Sequence, residues 1–149
     1  MINCTFENGS KSSLRHAVID ALVLDTKNRI LLVKRSEEKL LEGGKWGLVG
    51  GFVERDETLE EAMAREIKEE TGWEVRDAKL LRIIDDPNRP NEDRQNISFV
   101  YTCRAVEKTG EADQESSEQR WFKLTDLPPK EQFAFDHFEN IEFYLKKNY

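Results

Sequence analysis

Three glutamates in one short segment have the residue type and spacing to bind a metal ion. Glu66, Glu69 and Glu70 lie three and four positions apart, so a helix would bring them to one surface patch. Like charges at this spacing destabilise a helix by roughly 0.2–0.5 kcal/mol per pair. A divalent cation such as Mg²⁺ would neutralise them, because it accepts a few carboxylates while keeping water and phosphate ligands. The alternative is a solvated acidic face, which helix composition alone favours.

A helix that begins after Thr58 and ends at Gly72 is predicted to position these glutamates. Thr58 is a good N-cap, and Glu61 three residues later completes a capping box. Gly72 can adopt the left-handed conformation that ends a helix. Glu66 borders the apolar stripe of this helix, so the patch is expected near the core. The stripe consists of Leu59, Ala62, Met63 and Ile67.

The spacing of residues from Gly51 to Trp73 resembles the Nudix box, the signature of the Nudix hydrolases. Gly51 is followed by five residues, Glu57, seven residues and then REIKEETGW. Every fixed position of the box matches. Trp73 stands where an aliphatic residue is usual, and Val49 replaces a proline that often precedes the glycine pair. Both departures concern packing, so the resemblance implies pyrophosphate hydrolysis on an α/β/α sandwich.

The resemblance also implies roles for the residues of the box. Glu66, Glu69 and Glu70 would bind Mg²⁺, for which Mn²⁺ can substitute, together with the backbone carbonyl of Gly50. Glu69 or Glu70 would also act as general base, a choice that the sequence leaves open. The resemblance also implies two supporting residues. Glu57 would assist without binding the metal directly, and Arg65 would orient a carboxylate ligand.

An additional acid from outside the box is common in this family. Glu115 and Glu118 lie in the corresponding region, just before the strand that contains Trp121. Glu118 is the candidate for a ligand or base. The alternative is that it is a loop carboxylate without a catalytic role.

Four residues are candidates for binding the substrate. Arg35 ends a predicted hairpin strand near the box, and Arg89 and Arg94 lie in the proline-containing loop 85–95. Guanidinium groups suit phosphate oxygens, although each of the loop arginines could instead be solvated. Phe52 could stack on adenine, although aromatic residues in strands usually belong to the core.

The order of predicted elements indicates an α/β fold in which two helices flank a mixed sheet. The whole chain, 1–149, is expected to be a single domain, with residues 1–14 forming a flexible arm or an edge segment. Asp136 is predicted to cap a C-terminal helix. Strands are predicted at residues 16–24, 29–35, 96–106 and 120–124, with one or two strands at 73–84 and a short extended stretch at 46–53.

Composition limits the partners and the location of the protein. A formal net charge of −7 argues against nucleic-acid binding, and no stretch is long and apolar enough to be a membrane span. Cys4 and Cys103 lie far apart and show no metal-binding spacing, which favours a reduced, cytoplasmic protein. His16 and His137 are isolated, so each is expected at the surface or satisfied within the structure. A homodimer is possible, since the family is often dimeric.

Two outer segments indicate the substrate. The loop sequence IDDPNRPNEDR and the segment FAFDH are similar to segments of the ADP-ribose pyrophosphatase group. We therefore expect hydrolysis of a nucleoside diphosphate derivative, with ADP-ribose giving AMP and ribose 5-phosphate. The first alternative is a pyrophosphatase that sanitises nucleoside triphosphates such as 8-oxo-dGTP. The second is a non-catalytic ADP-ribose-binding module, which the complete set of box carboxylates disfavours.

Overall fold

The computed structural model describes residues 1–39, 41–89, 91–92, 94–113 and 116–149, which form nine strands and two α-helices. The strands are β1 (Ile2–Thr5), β2 (Lys11–Leu14), β3 (Ala17–Leu24), β4 (Arg29–Arg35), β5 (Trp46–Gly47), β6 (Val49–Phe52), β7 (Trp73–Ile84), β8 (Ile97–Lys108) and β9 (Ser116–Lys123). The helices are α1 (Leu59–Thr71) and α2 (His137–Asn148), and a 3-10 turn covers Lys130–Gln132. None of the described helices is long and apolar enough to cross a membrane.

Strand β3 is the centre of a mixed sheet that has seven strands in the described part of the chain. It pairs in parallel with β8, and its nearly continuous apolar sequence suits a strand buried on both faces. On the other side, β6 pairs with β3 from Val18 to Ala21, and β4 pairs with it at Val23 and Leu24. Strands β4 and β6 therefore pair with different parts of β3 on the same side.

The two helices cover opposite faces of this sheet. Alternation along β3 directs Ile19, Ala21 and Val23 into a core with α1, and Leu22 and Leu24 into a core with α2. The architecture is the α/β/α sandwich that the sequence predicts.

Helix α1 has the predicted ends. The Glu61 amide donates to the Thr58 hydroxyl, and the Glu61 carboxylate accepts from the Thr58 amide at 2.7 Å. Gly72 has a φ of 78°, and its amide donates to the carbonyl of Lys68. Trp73 packs edge-to-face on Trp121 at 5.5 Å, which supports a packing role for this departure from the Nudix box.

Two predicted boundaries need correction. Residues 1–14, expected as a flexible arm or an edge segment, contain the antiparallel pair β1–β2, which forms a small sheet apart from the main one. A polar hairpin of this kind has few apolar residues to show the alternation that identifies strands. Strand β9 starts at Ser116, four residues before the predicted start at Arg120, because its pairing with β4 extends through a polar stretch.

Candidate active site

A cavity of about 560 Å³ lies where β4 and β6 diverge. Val33 and Arg35 of β4 and Gly50, Gly51 and Phe52 of β6 line it. Acidic, basic and aromatic side chains from loops and from both helices complete its walls. These include Glu66, Glu70, Arg89, Arg94, Phe135 and His137.

The glycine pair of β6 allows a close approach on each face of the strand. A Cβ on Gly51 would lie 2.4 Å from the carboxylate of Glu66, so this carboxylate packs directly on the glycine backbone. A Cβ on Gly50 would lie 2.1 Å from the carbonyl oxygen of Ile19 in β3. The first glycine therefore allows close strand pairing, and the second makes room for a proposed metal ligand.

Arg65 connects the carboxylates of the box. Its Nε and Nη2 donate to Glu57 at 3.0 and 2.7 Å, and its Nη1 donates to Glu66 at 2.8 Å and to Glu69 at 3.2 Å. Nη2 also donates to the carbonyl of Phe52 at 3.1 Å. This geometry agrees with the orienting role implied for Arg65 and with the supporting position implied for Glu57.

The ion pair between Glu57 and Arg65 shifts the pKa of both side chains. Hydrogen bonding from Arg65, followed by that from the Glu54 amide, lowers the pKa of Glu57 below its usual value. The hydrogen bond to Glu57 is likewise the main cause that raises the pKa of Arg65. Glu57 and Arg65 are therefore a fixed ion pair at neutral pH, which leaves proton transfer to other residues.

The proposed metal ligands divide into two groups. Glu66 and Glu70 line the cavity beside Gly50, whereas the side chain of Glu69 is 54% exposed and hydrogen-bonded to Arg65. Among the described residues, no three acidic, histidine or cysteine side chains are grouped closely enough to hold a metal ion. The donors nevertheless fit Mg²⁺, because two carboxylates and a backbone carbonyl beside open space leave positions for water and phosphate oxygens.

Glu118 is not in the cavity, which corrects its predicted role as an additional ligand or base. It pairs with Lys34, whose ammonium lies over the ring of Trp46 in the core beneath α2. The α2 side of the sheet is the face away from the box helix, and Glu118 forms an ion pair there with Arg120. Its neighbour Gln119 points the other way and donates to the carbonyl of Thr71 at 3.2 Å. Glu115, the other acid of this region, lies outside the described residues.

Three of the four predicted substrate-binding residues line the cavity with part of their surface available. The guanidinium of Arg94 lies 5.7 Å from the ring centroid of Phe52, which is 41% exposed. Arg35 donates to the carbonyl of Leu41 at 3.1 and 3.2 Å and lies 5.1 Å from the ring of Phe135. Phe52 is thus an exposed aromatic surface rather than a core residue.

Arg89 also lines the cavity but is buried, with only 5% of its side chain exposed. Its Nε and Nη2 donate to the two carboxylate oxygens of Asp136 at 3.0 and 2.6 Å. Burial alone lowers the pKa of Arg89, but the hydrogen bonds and charge of Asp136 raise it above its ordinary value. Arg89 is therefore neither solvated nor available for direct contact with a phosphate through these two nitrogens.

The same ion pair prevents the side-chain capping predicted for Asp136, although α2 starts directly after this residue. Asp136 occupies the N-cap position, but its side chain makes no capping hydrogen bond because Arg89 occupies the carboxylate. The pair links the proline-containing loop to the FAFDH segment, two regions that the sequence analysis treats separately.

We expect Arg89→Met to destabilise the fold by about 3–5 kcal/mol, because it leaves the Asp136 charge buried without its partner. Adding Asp136→Leu should recover much of this loss, since removal of both charges leaves none uncompensated. Thermal and urea unfolding of the single and double variants would measure the effect. Arg76→Met is the matched control, because Arg76 is 73% exposed. If the double variant lost as much free energy of unfolding as the two single variants together, the paired role of Arg89 and Asp136 would be contradicted.

Two further features of the cavity region escape the sequence analysis. Arg15 donates to the carbonyls of Asp85 and Gln95 at 2.7 and 2.5 Å, so it holds both ends of loop 85–95. Asp20 and His137 are buried polar residues of the cavity wall. A carboxylate inside the apolar run AVIDALVL is a signal that could have identified Asp20.

The fold is the one implied by the resemblance to Nudix hydrolases. A sandwich presents carboxylates from its first helix to a cavity beside a glycine pair. The NUDIX domain family model matches residues 14–143, and the chain belongs to the Nudix family.

Relatives and solved structures extend this finding. An ADP-ribose pyrophosphatase of Methanocaldococcus jannaschii is 36% identical over 124 residues, covering 83% of this chain and 70% of that protein. The nucleoside triphosphatase NudI of Klebsiella pneumoniae is 30% identical, covering 76% and 86%. The NUDIX domain of Shewanella oneidensis NrtR, solved in complex with ADP ribose, superposes with a TM-score of 0.75 at 25% identity, covering 91% and 90%. The chain is a Nudix pyrophosphohydrolase, in a family that generally uses divalent metals.

Proposed function

We propose that the protein hydrolyses the diphosphate of ADP-ribose to AMP and ribose 5-phosphate. One observation carries this proposal: a single cavity contains box carboxylates at one side and two arginines with an exposed aromatic ring nearby. These groups suit the pyrophosphate and the nucleoside of such a substrate. The Methanocaldococcus relative and the ADP ribose complex of the NrtR domain support the same substrate.

In the proposed reaction, water attacks one phosphorus, and the bond from that phosphorus to the bridging oxygen breaks. Glu66, Glu70 and the Gly50 carbonyl would hold Mg²⁺, and Glu69 is a further candidate ligand. When bound, Mg²⁺ supplies charge neutralisation at the phosphate oxygens and makes a bound water more acidic. Glu69 or Glu70 accepts the proton of the attacking water, and Arg65 keeps the neighbouring carboxylates in position.

The remaining contacts bind the parts of the substrate that do not react. Arg35 and Arg94 line the cavity and can donate to phosphate oxygens, which offsets the repulsion from the net negative charge of the chain. Phe52 presents an exposed ring for stacking by adenine. Arg89, initially a candidate for direct contact, instead stabilises the loop that contains Arg94, since Asp136 takes two of its nitrogens.

We expect Arg94→Ala to raise KM for ADP-ribose roughly tenfold and to change kcat less, because such a contact holds the ground and transition states alike. Steady-state kinetics with saturating Mg²⁺ would measure both constants. Arg55→Ala is the matched control, because the Arg55 side chain is 93% exposed and does not line the cavity. An unchanged KM in Arg94→Ala would remove Arg94 from substrate binding.

A nucleoside triphosphate substrate is the second candidate, supported by the similarity to NudI. Initial rates on ADP-ribose, 8-oxo-dGTP and the unmodified triphosphates would separate the two candidates. We expect ADP-ribose to have the highest kcat/KM, and a preference for any triphosphate would overturn that choice. Tight binding of ADP-ribose without turnover would instead support a binding module.

A further inference from the structure

The wall of the cavity contains a buried carboxylate for which the proposed reaction has no use. Asp20 lies on β3, and its side chain is 11% exposed and lines the cavity. One of its oxygens accepts a hydrogen bond from the buried hydroxyl of Ser98. The other lies 3.4 Å from Nε2 of His137. Both partners come from elements that are distant in sequence, β8 and α2.

The contacts of His137 fix its ring beside Asp20. The amide of Leu48 donates to Nδ1 of His137 at 2.9 Å, so the ring proton of the neutral imidazole lies on Nε2. Gly47 permits this approach, because a Cβ there would lie 2.9 Å from Nδ1. His137 therefore orients Asp20, and its own nitrogens are occupied by protein groups.

The charge balance at this wall is unsuitable for phosphate. Both carboxylate oxygens of Asp20 face protein donors, the hydroxyl of Ser98 and Nε2 of His137, which is the arrangement of an ionised carboxylate. The positive charge of Arg89 is already paired with Asp136. The Asp20 carboxylate therefore adds negative charge to this part of the cavity, which disfavours an anion beside it.

A carboxylate offers about four lone-pair positions, and Ser98 and His137 occupy two of them. The remaining positions can only accept hydrogen bonds. A ligand group that binds to Asp20 must therefore be a hydrogen-bond donor without a negative charge. Sugar hydroxyls and the amino group of a purine have this chemistry, whereas an ionised phosphate does not.

We propose that Asp20 is a specificity-determining residue that accepts a hydrogen bond from an uncharged donor of the substrate, a sugar hydroxyl or a base amino group, and keeps phosphate out of this part of the cavity. The inference rests on the proposed hydrolysis of a nucleoside diphosphate derivative. It adds the requirement that a donor group lie beside the pyrophosphate in the bound substrate.

Substrate analogues test this inference on the unmodified protein. Kinetics with Mg²⁺ would compare ADP-ribose with three analogues: ADP methyl ester, which lacks the terminal ribose, the 2′,3′-dideoxyadenosine derivative, and the purine derivative without the adenine amino group. We expect one analogue to lose roughly 10- to 100-fold in kcat/KM, the range for a hydrogen bond to a charged group. The analogue that loses activity identifies which donor contacts Asp20.

The variant Asp20→Asn links that loss to the residue. It should lower kcat/KM for ADP-ribose by the same factor, while the sensitive analogue changes less than about threefold, because its contact is already missing. Asp77→Asn is the matched control, since Asp77 is 62% exposed and does not line the cavity.

Each outcome distinguishes this inference from the proposed function. No turnover of ADP-ribose by the unmodified protein would overturn the proposed function. Normal turnover of ADP-ribose and of all three analogues would overturn the role of Asp20 alone. A folded Asp20→Asn protein that affects ADP-ribose and the sensitive analogue equally would also overturn it. If Asp20→Asn does not fold, the absence of a loss for every analogue with the unmodified protein still overturns the role of Asp20.

Discussion

Replacing Glu70 with glutamine is expected to lower kcat by about 10²-fold or more, the scale for loss of a general base or of transition-state charge stabilisation. Glu70 lines the cavity together with Glu66 and Gly50, and it is a proposed metal ligand and a candidate general base. Glutamine keeps the size of the side chain but removes its charge and most of its basicity. Steady-state kinetics with Mg²⁺ would measure the loss.

The stability of Glu70→Gln should not fall. Glu66 and Glu70 are one helical turn apart, so loss of one charge relieves a repulsion of roughly 0.2–0.5 kcal/mol. We therefore expect the Tm without metal to hold or rise, and the increase in Tm on adding Mg²⁺ to shrink. Glu60→Gln removes the same charge from an exposed position of α1 and should preserve activity. Wild-type turnover by Glu70→Gln would remove this residue from the mechanism.

Gly51→Ala is expected to lower kcat/KM by about 10²-fold or more while the protein stays folded. The new Cβ would lie 2.4 Å from the Glu66 carboxylate, which is the far end of a flexible side chain and can move away. The displacement removes a proposed ligand from its position without disturbing the backbone. Kinetics and thermal unfolding of the same preparation would separate the two effects.

Two other glycines provide the controls for this variant. A Cβ on Gly110 would meet nothing nearer than 3.6 Å, so Gly110→Ala should preserve both activity and Tm. A Cβ on Gly50 would lie 2.1 Å from the backbone oxygen of Ile19, so Gly50→Ala should disrupt the pairing of β3 with β6. Full activity of Gly51→Ala would show that the observed position of the Glu66 carboxylate is not required.

The parts of the site that follow local rules are predictable from the sequence. The ends of α1 follow from Thr58, Glu61 and Gly72, and each makes the expected backbone contact. The spacing of the box glutamates places Glu66 and Glu70 on one helical face, and both line the cavity. These features depend on residues that are close together in the sequence of α1. That one segment is therefore sufficient to predict them.

The errors concern contacts between distant segments. Glu118 is close to the site along the chain, but the register of β9 against β4 turns it to the opposite face. A shift of one residue would reverse that orientation, and the sequence of a polar edge strand does not determine its register. Arg89 was expected to contact substrate or solvent. Its buried partner, Asp136, is 47 residues away, so the sequence near Arg89 does not indicate this ion pair.

The buried wall of the cavity was missed for the same reason. Asp20 lies on β3 and His137 on α2, so the two residues are far apart in the sequence. Only the folded sheet brings them within 3.4 Å of each other. His137 is satisfied by Leu48 and Asp20, as expected for an isolated histidine, but the partners themselves could not be predicted.

Product analysis of ADP-ribose hydrolysis tests the central claim most directly. Phosphorus NMR would follow ADP-ribose incubated with the protein in Mg²⁺ and in excess chelator. We predict equal amounts of AMP and ribose 5-phosphate with Mg²⁺ and no products with chelator, since the proposed ligands are carboxylates of the box. Failure to cleave ADP-ribose in Mg²⁺, or full turnover in excess chelator, would contradict the proposed metal-dependent hydrolysis.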